Sequence, residues 1–397
     1  MKRQISDTKK TSKKQPPRVA VLVDTSTTWG RQIHRGIHRY DLKNGPWHIF
    51  IEARGAEERS RVPAGWKADG VIARVGRAET AEELKALNVP IVNVSGIQLP
   101  GVNFPRVMTD HDASARMAAQ HFLDRGFRHF AYFSLEGLAY VARHQQGFAN
   151  AVTEAGCDFA SFEAKPTKGA EPDWNLDLEQ LGAWLKTLPK PVAILTWNPS
   201  SAREIIYACD LVGLLVPEEV AVLSGTDDEL LCDVLFTPIS GVQSAGEQIG
   251  HEAARLLDSL IRGKPITTKP VMVKPLSITV RRSTDTLAIQ DRALVRALSF
   301  IRENAAQRIE VKDVTRHSGV SRRSLEQRFM QVLHRTPASE IRRVHLERAK
   351  RLLEETDLPI PDVAESAGYG SPEYMAGIFR SELQTTPLNY RKTIRGR

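Results

Sequence analysis

Polar and aromatic side chains follow strand-like runs in the middle of this chain, or stand early in the helices after them. They are Trp29, Arg31, Arg74, Arg143, Asn198 and Asp227. An aromatic ring can cover the C–H face of a sugar, while carboxylate, amide and guanidinium groups hydrogen-bond its hydroxyls. Because parallel sheets bind ligands beyond the carboxyl ends of their strands, this set favours a carbohydrate site.

A helix cap or a loop charge is the alternative at each of these positions. The alternative is weakest for Asp227, which closely follows the apolar run "VAVLSG". Two further choices stay open, because Asp228 competes with Asp227 as the ligand and His144 competes with Arg143 for the side that faces the pocket.

Catalytic motifs are missing from the sequence. It has no GxSxG, GxxxxGK[ST] or GxGxxG pattern, and "HEAAR" at His251 lacks the second histidine of a zinc-binding helix. We therefore expect a binding protein, neither an enzyme nor the holder of a cofactor or metal.

Short β-branched runs alternate with helical stretches between residues 18 and 282. The runs "RVAVLVD", "WHIFIEA", "DGVIARV", "VPIVNV", "HFAYFS", "VAILTW" and "EVAVLSG" predict buried parallel strands. Helices are predicted between them, at about 110–125, 140–155, 199–213 and 244–262. About 265 residues are too many for one sheet, so the pattern predicts two doubly wound α/β lobes that face each other.

The C-terminal part of the chain contains one small helical unit twice. "QRFMQVLHRTP" ends at Pro337 and "GIFRSELQTTP" ends at Pro387, with Phe, Leu and Thr-Pro at the same spacing. The offset between the copies is 49 residues up to Gly319 and Gly368 and 50 after them, so one residue is inserted near Gly370. Apolar residues three and four apart on both sides of each glycine predict helix, tight turn, helix.

Each copy has the form of a DNA-binding helix-turn-helix, in which the second helix presents a polar face to the major groove. The predicted DNA contacts are Arg322, Arg323, Glu326 and Gln327 in the first copy and Ser371, Glu373 and Tyr374 in the second. Arginine and glutamine read guanine and adenine, so the first copy is expected to carry most of the base specificity. The second copy has less to offer, and shape and phosphate contacts are expected there. A helix of about 20 residues between the copies spans roughly 30 Å, close to one turn of DNA.

Positive charge is concentrated at the two ends of the chain. The net charge is +8 over 397 residues; residues 1–18 hold seven Lys or Arg against one acid, and residues 286–397 hold twenty against fourteen. Nucleic acid is the expected partner of both ends, and a disordered solubilising tail is nearly as good an interpretation of the first segment.

Cysteine usage and hydropathy point to the cytosol. Cys157, Cys209 and Cys232 are far apart and odd in number, which suits free thiols in a reducing compartment. The sequence has no apolar run of about eighteen residues, and its N-terminus lacks an apolar signal core, so we expect neither membrane insertion nor export.

The C-terminal region resembles the AraC/XylS type of DNA-binding domain. The resemblance rests on "DVTRHSGVSRRSLEQRFMQVLHRTP", "RVHLERAKRLLEETDLPIPDVAESAGYGSPEYMAGIFR" and "TTPLNYR", which cover roughly 290–394. The chain departs from that family at His334 and Gln384, where a glycine is usual, and at Gly377, where a polar side chain is frequent.

The preceding region resembles the LacI/GalR type of sensor domain. The segments are "VMTDHDASARMAAQHFLDRGFRHFAYFS", "VPEEVAVLSGTDD" and "SAGEQIGHEAARLL", and the likeness covers roughly 18–282. It implies the fold of periplasmic sugar-binding proteins, with Asp227 and Asn198 binding effector hydroxyls. Pro199 stands where the family has an acid, and the family's arginine falls on His144, with Arg143 one place early.

A sensor of this type in front of an AraC-type domain resembles the regulators of xylose operons, which share Arg31, Gln32, Gly36 and Tyr40. The expected organisation is a basic tail (1–17), a sensor (18–282), a linker (283–290) and a DNA-binding domain (291–397). The expected function is transcription regulation through operator DNA in response to xylose or a similar pentose, by a homodimer that contacts RNA polymerase. A regulator of another ligand, and a constitutive DNA-binding protein whose α/β region only dimerises, remain the alternatives.

Overall fold

The computed structural model describes residues 15–53, 55, 61–62, 65–135, 139–164, 178–264 and 269–394. The basic tail predicted for residues 1–17 therefore lies almost wholly outside the described residues.

The strands of the α/β region form two main sheets, one in each lobe. In chain order the strands are β1 (Arg18–Leu22), β2 (His48–Ile51), β3 (Gly70–Ala73), β4 (Ile91–Asn93), β5 (Val107–Thr109), β6 (His129–Leu135), β7 (Asp158–Ala164), β8 (Val192–Thr196), β9 (Val220–Ser224), β10 (Ser240–Gln243), β11 (Val271–Val273) and β12 (Ser277–Thr279). The first sheet has the order β2-β1-β3-β4 and the second β12-β10-β9-β8-β6-β7, while β5 pairs with β11. Each of the seven predicted strands is present, which confirms two doubly wound lobes.

The prediction of buried parallel strands was wrong at one position. β2 lies at the edge of the first sheet, and its terminal residues His48 and Ile51 are exposed. Five strands were not predicted, namely β5, β7, β10, β11 and β12, and β12 runs antiparallel to β10. An edge position needs apolar residues on fewer sides, so an apolar run alone does not separate it from a central strand.

Helices cover both faces of each sheet. They are α1 (Thr28–Asn44), α2 (Ala78–Ala86), α3 (His111–Leu123), α4 (Ala139–Glu154), α5 (Leu178–Thr187), α6 (Pro199–Val212), α7 (Glu229–Asp233) and α8 (Gly246–Ile261). The four helices predicted from periodicity correspond to α3, α4, α6 and α8. Within the described residues the chain passes between the lobes at three places, after β5, after β10 and after β11.

Helices α1 and α8 touch backbone to backbone in the first lobe. A Cβ added to Gly36 would lie 2.0 Å from the carbonyl oxygen of Glu247, and one added to Gly250 would lie 2.1 Å from that of Ile33. Only glycine permits this approach. The contact fixes the N-terminus of α1, where Trp29 lies, relative to the crossing segment before α8.

The C-terminal region is all helical. Its helices are α9 (Arg292–Glu303), α10 (Val311–Ser318), α11 (Arg322–Leu333), α12 (Pro337–Glu355), α13 (Ile360–Ser366), α14 (Pro372–Leu383) and α15 (Pro387–Ile394). The pairs α10–α11 and α13–α14 are the two predicted helix-turn-helix units, which we call the first unit and the second unit. Their turns contain Gly319 at φ +76° and Gly368 at φ +75°, in the left-handed region that favours glycine.

Two further features of the repeat agree with the sequence. One residue separates Gly319 from the cap Ser321, whereas two separate Gly368 from the cap Ser371, so the inserted residue is in the turn. His334 and Gln384 end α11 and α14 at φ 53° and 54°. The glycine usual in the family would adopt this conformation without strain.

The connecting segment and α9, which shares a core with the first unit, are joined to the second lobe by buried polar contacts. Ser283 and Thr284 are fully buried, and the Ser283 hydroxyl donates to the carbonyl of Val222 at 2.6 Å. Farther on, Arg302 of α9 pairs with Glu218, which precedes β9, and both side chains are buried. The segment between sensor and helices is therefore packed against the second lobe.

Candidate functional site

The first lobe contributes a carboxylate, a guanidinium and an indole beyond its strands. Asp24 follows β1, is almost fully buried and accepts hydrogen bonds from the hydroxyl of Thr27 at 2.8 Å and from Nη1 of Arg74 at 3.2 Å. The Arg74 guanidinium lies 5.5 Å from the centre of the Trp29 ring. Trp29 and Arg74 are thus brought together, and Asp24 was missed although it directly follows the first apolar run.

Arg31 braces the loop before α1. Its guanidinium donates to the carbonyl oxygens of Thr25 at 3.2 Å and Ser26 at 2.7 Å and to the hydroxyl of Thr28 at 3.1 Å. The side chain is exposed. It therefore shapes the loop that leads into the N-terminus of α1, where Trp29 lies.

Asp227 of the second lobe follows β9 and uses both carboxylate oxygens. Oδ1 accepts from Nη1 of Arg281 and Oδ2 accepts from the hydroxyl of Thr279, each at 2.8 Å. Arg281 also pairs with Asp233 at 2.5 Å. Burial acts to lower the pKa of Arg281, but Asp233 and Asp227 together hold it above its ordinary value. An ionised carboxylate has about four acceptor sites, and the Cys232 thiol also hydrogen-bonds Asp227, so only part of its acceptor capacity remains.

Asp228 bridges the two lobes. Its Oδ1 caps α7 through the amide of Leu231, and its Oδ2 accepts from the backbone amide of Thr28, at the start of α1, at 2.8 Å. A carboxylate at the positive end of a helix is stabilised by the helix dipole. The contact brings the loop after β9 beside Trp29, so strand-end residues of both lobes meet here.

Asn198 caps α6, as the alternative interpretation of that residue allowed. Its Oδ1 accepts from the amide of Ser201 at 2.9 Å. The cap uses the carbonyl oxygen and leaves the two Nδ2 hydrogens outside it.

Imidazoles and an indole gather beside Asn198. The ring centres of His111 and His144 each lie 5.3 Å from that of Trp197. His144 is fully buried, its Nδ1 is 2.8 Å from the Tyr132 hydroxyl, and its Nε2 has no hydrogen-bond partner among the described residues. Burial, with a smaller effect of His111, lowers the pKa of His144 to about 3, so its ring is neutral at pH 7.

Arg143 and His144 are neighbours on α4 but differ in burial. Arg143 is exposed, whereas His144 lies under Trp197. Burial lowers the pKa of His111, Asp110 and Asp112 act in the opposite direction, and the charge of Arg143 adds to the lowering. The arginine is at the surface of the cluster and the neutral histidine is at its base.

The reading helices show different surfaces. In α11 the Arg322 guanidinium pairs with Glu326 at 2.9 Å, and Arg323 and Gln327 are exposed. In α14 the Ser371 hydroxyl accepts from the amide of Tyr374 at 3.2 Å and so caps the helix. Glu373 and Tyr374 are exposed beside it, and hydrogen bonds to its own backbone amide and to Ser371 lower the pKa of Glu373.

None of the described helices has the length and apolar character needed to cross a bilayer. No group of three or more His, Cys, Asp or Glu in the described part of the chain is arranged to hold a metal ion.

Known proteins resemble this chain along nearly its whole length. Family models match residues 18–111 (XylR N-terminal domain), 119–284 (periplasmic binding protein-like domain) and 314–393 (helix-turn-helix domain). The xylose operon regulatory protein of Escherichia coli K12 is 30% identical over 94% of this chain and 96% of its own, and that of Haemophilus influenzae is 28% identical over 94% and 98%. The solved structure of the xylose-binding transcription activator xylR superposes with a TM-score of 0.80 at 28% identity, covering 95% of this chain and 98% of the other.

The two lobes followed by two helix-turn-helix units define a transcription regulator with a periplasmic-binding-protein-like sensor and an AraC-type DNA-binding region. The chain belongs to the family of xylose operon regulatory proteins.

Proposed function

We propose that this protein binds xylose or a similar pentose between its lobes and activates transcription through operator DNA. The names of the relatives support the choice of sugar, because they are xylose regulators and a xylose-binding activator. The observation that carries the proposal is the bond from the Thr28 amide to Asp228, since it brings the loop after β9 to the N-terminus of α1. The carboxylates of Asp24 and Asp228 and the indole of Trp29 then lie together at the start of α1, and sugar recognition uses such groups.

Each predicted residue has a role in this proposal. Trp29 covers the apolar face of the sugar, and Arg74 donates to hydroxyls while Asp24 holds it in place. Asp227 accepts a sugar hydroxyl on its remaining acceptor capacity. The ligand set is completed by Asn198 and Arg143 as donors and by Arg31, which positions the loop before Trp29.

Asp227→Asn tests the carboxylate with least disturbance of shape. Titration calorimetry with D-xylose should show affinity about tenfold to a hundredfold weaker, because a hydrogen bond to a charged group contributes roughly 1.5–3 kcal/mol. The matched control is Asp233→Asn, which removes the other carboxylate of Arg281 at an exposed position away from Thr28.

Equal losses in both variants would mean that Asp227 acts only as a partner of Arg281. Unchanged affinity in Asp227→Asn would remove that residue from the site and favour Asp228. If the wild-type chain bound a different sugar, its role as a sugar-responsive regulator would be retained and only the identity of the sugar would change. If it bound no small molecule, the α/β region would serve dimerisation alone.

The DNA side of the proposal uses the exposed faces of both units. Arg322, Arg323, Glu326 and Gln327 would read bases, and Ser371, Glu373 and Tyr374 would dock the second unit. Residues 18–282 sense the ligand, 283–290 transmit its state and 291–397 bind DNA. The active form is a cytoplasmic homodimer without enzymatic activity that recruits RNA polymerase.

A further inference from the structure

A half-open cavity of about 580 Å³ lies at the seam between the two units. Its walls come from three elements. The loop before α10 supplies Arg308, α12 supplies Arg342 and His345, and the turn of the second unit supplies Tyr369 and Ser371. The cavity thus opens beside the N-terminus of α14.

Positive charge prevails in this seam cavity. A Cβ added to Gly370 would lie 3.4 Å from the Arg308 guanidinium carbon, so that guanidinium rests on the turn of the second unit. Arg342 donates to the Ser339 hydroxyl at 3.1 Å. The lining carboxylate, Glu310, is already engaged, because it caps α10 and pairs with Lys312 at 2.8 Å.

One polar group in the wall lacks a partner. The Tyr369 hydroxyl has no hydrogen-bond partner among the described residues, and its side chain is 6% exposed. A buried polar group without a partner is costly. Burial also raises the pKa of Tyr369, so its hydroxyl remains a donor at neutral pH.

We propose that the seam cavity binds a phosphate of the DNA backbone, held by Arg308, Arg342 and the Tyr369 hydroxyl. The proposal rests on the proposed DNA-binding function. Guanidinium donors, a phenol and a helix N-terminus together are a binding site for an oxyanion. α12 has 19 residues and so is about 28 Å long, which separates the reading helices by nearly one turn of DNA. The backbone that runs between two successive major grooves must then pass the seam.

A methylphosphonate scan tests this contact. Duplexes selected from a random pool would carry one uncharged methylphosphonate at each position in turn, and their affinity would be measured for the full-length wild type, Arg308→Ala and Tyr369→Phe. We expect one phosphate between the contacted grooves whose neutralisation weakens wild-type binding about tenfold, as loss of a charged hydrogen bond does. In Arg308→Ala the same duplex should bind no more weakly than the unmodified one.

Tyr390→Phe is the matched control, because it removes a tyrosine hydroxyl that bonds Glu354 outside the cavity. Tyr390→Phe should show the same loss of affinity at the same phosphate as the wild type, whereas in Tyr369→Phe that loss should be smaller. If wild-type protein bound the duplex tightly, but the losses from Arg308→Ala and from each methylphosphonate simply added at every position, the seam contact alone would be overturned. Wild-type protein that bound no duplex would overturn the proposed function with it.

Free phosphate is the other source of the same chemistry. The melting temperature of DNA-free protein in 10 mM inorganic phosphate, against chloride at equal ionic strength, separates the two. Stabilisation by phosphate that Arg308→Ala abolishes, together with an additive scan, would assign the cavity to a small phosphate compound and overturn the DNA contact. If Arg308→Ala loses the sensitivity to the methylphosphonate that weakens wild-type binding, the DNA contact is supported.

Discussion

The two helix-turn-helix units share one fold but differ in what surrounds them and in what they expose. The core of the first unit includes Leu215 of the sensor and Ile289 of the connecting segment, whereas the core of the second unit comes from α12 to α15. Residues fifty apart also differ: Arg323 corresponds to Glu373 and Gln327 to Gly377. Repetition of the fold therefore does not imply repetition of the role. In the proposed function the first unit reads bases and follows the sensor, whereas the second unit holds the duplex.

Breaking the buried ion pair between Arg302 and Glu218 should have the largest effect of the changes that distinguish the two units. Arg302→Ala removes the ion-pair partner of Glu218, which is 1% exposed, and leaves the charge of Arg282 nearby. Removing one partner of a buried ion pair costs at most roughly 3–5 kcal/mol. Thermal unfolding should show a large loss of stability. Replacing both partners, Arg302→Met with Glu218→Leu, should restore most of the stability but disconnect the first unit from the sensor. A cost for Arg302→Ala no larger than that of a surface pair would contradict the buried link.

The matched reading positions should give the next largest effect. Arg323→Ala should relax base preference by roughly 1–3 kcal/mol at one position of the selected operator, the contribution of an arginine–guanine pair. Glu373→Ala, fifty residues later, should leave the sequence preference as it is. Selection from random duplexes followed by sequencing measures both. An unchanged consensus for Arg323→Ala would remove the difference between the units.

Gly377→Ala should have the smallest effect, and it tests only the second unit. Nothing lies within 4 Å of a Cβ at Gly377, which is exposed in the interior of α14, so alanine should stabilise the fold by about 1 kcal/mol. If the second unit approaches the duplex closely through its backbone, the same change should weaken all duplexes alike. Gln327→Ala is the counterpart in the first unit and should alter the consensus. A consensus altered by Gly377→Ala would contradict the assigned roles.

The sequence was informative where structure is local. The glycine turns, the caps Ser321 and Ser371 and the inserted residue could be predicted because each depends on neighbouring backbone geometry. The strands of three or four residues near the lobe crossings could not, since so few residues show no period. The candidate residues at strand ends could be predicted because ligands of parallel sheets bind beyond the carboxyl ends of the strands. The pairing of Asp227 with Arg281 was not, because it depends on the antiparallel register of β10 and β12, which joins residues far apart in the chain.

His144 shows a second limit of prediction from sequence. The resemblance located a candidate on α4, but the choice between Arg143 and His144 depends on helix rotation against Trp197. Burial of a neutral imidazole under an indole is a tertiary fact, and the low pKa of His144 follows from it.

The most direct test of the account is the affinity of the selected operator for the full-length protein with and without D-xylose, read by fluorescence anisotropy. Saturating xylose should change the affinity of the wild type at least about fivefold, the lower end of allosteric coupling. The double variant Arg302→Met with Glu218→Leu should bind xylose but show little change at the operator. Equal operator affinity with and without xylose, in wild-type protein that calorimetry shows to be saturated, would contradict the claim that the first unit follows the sensor.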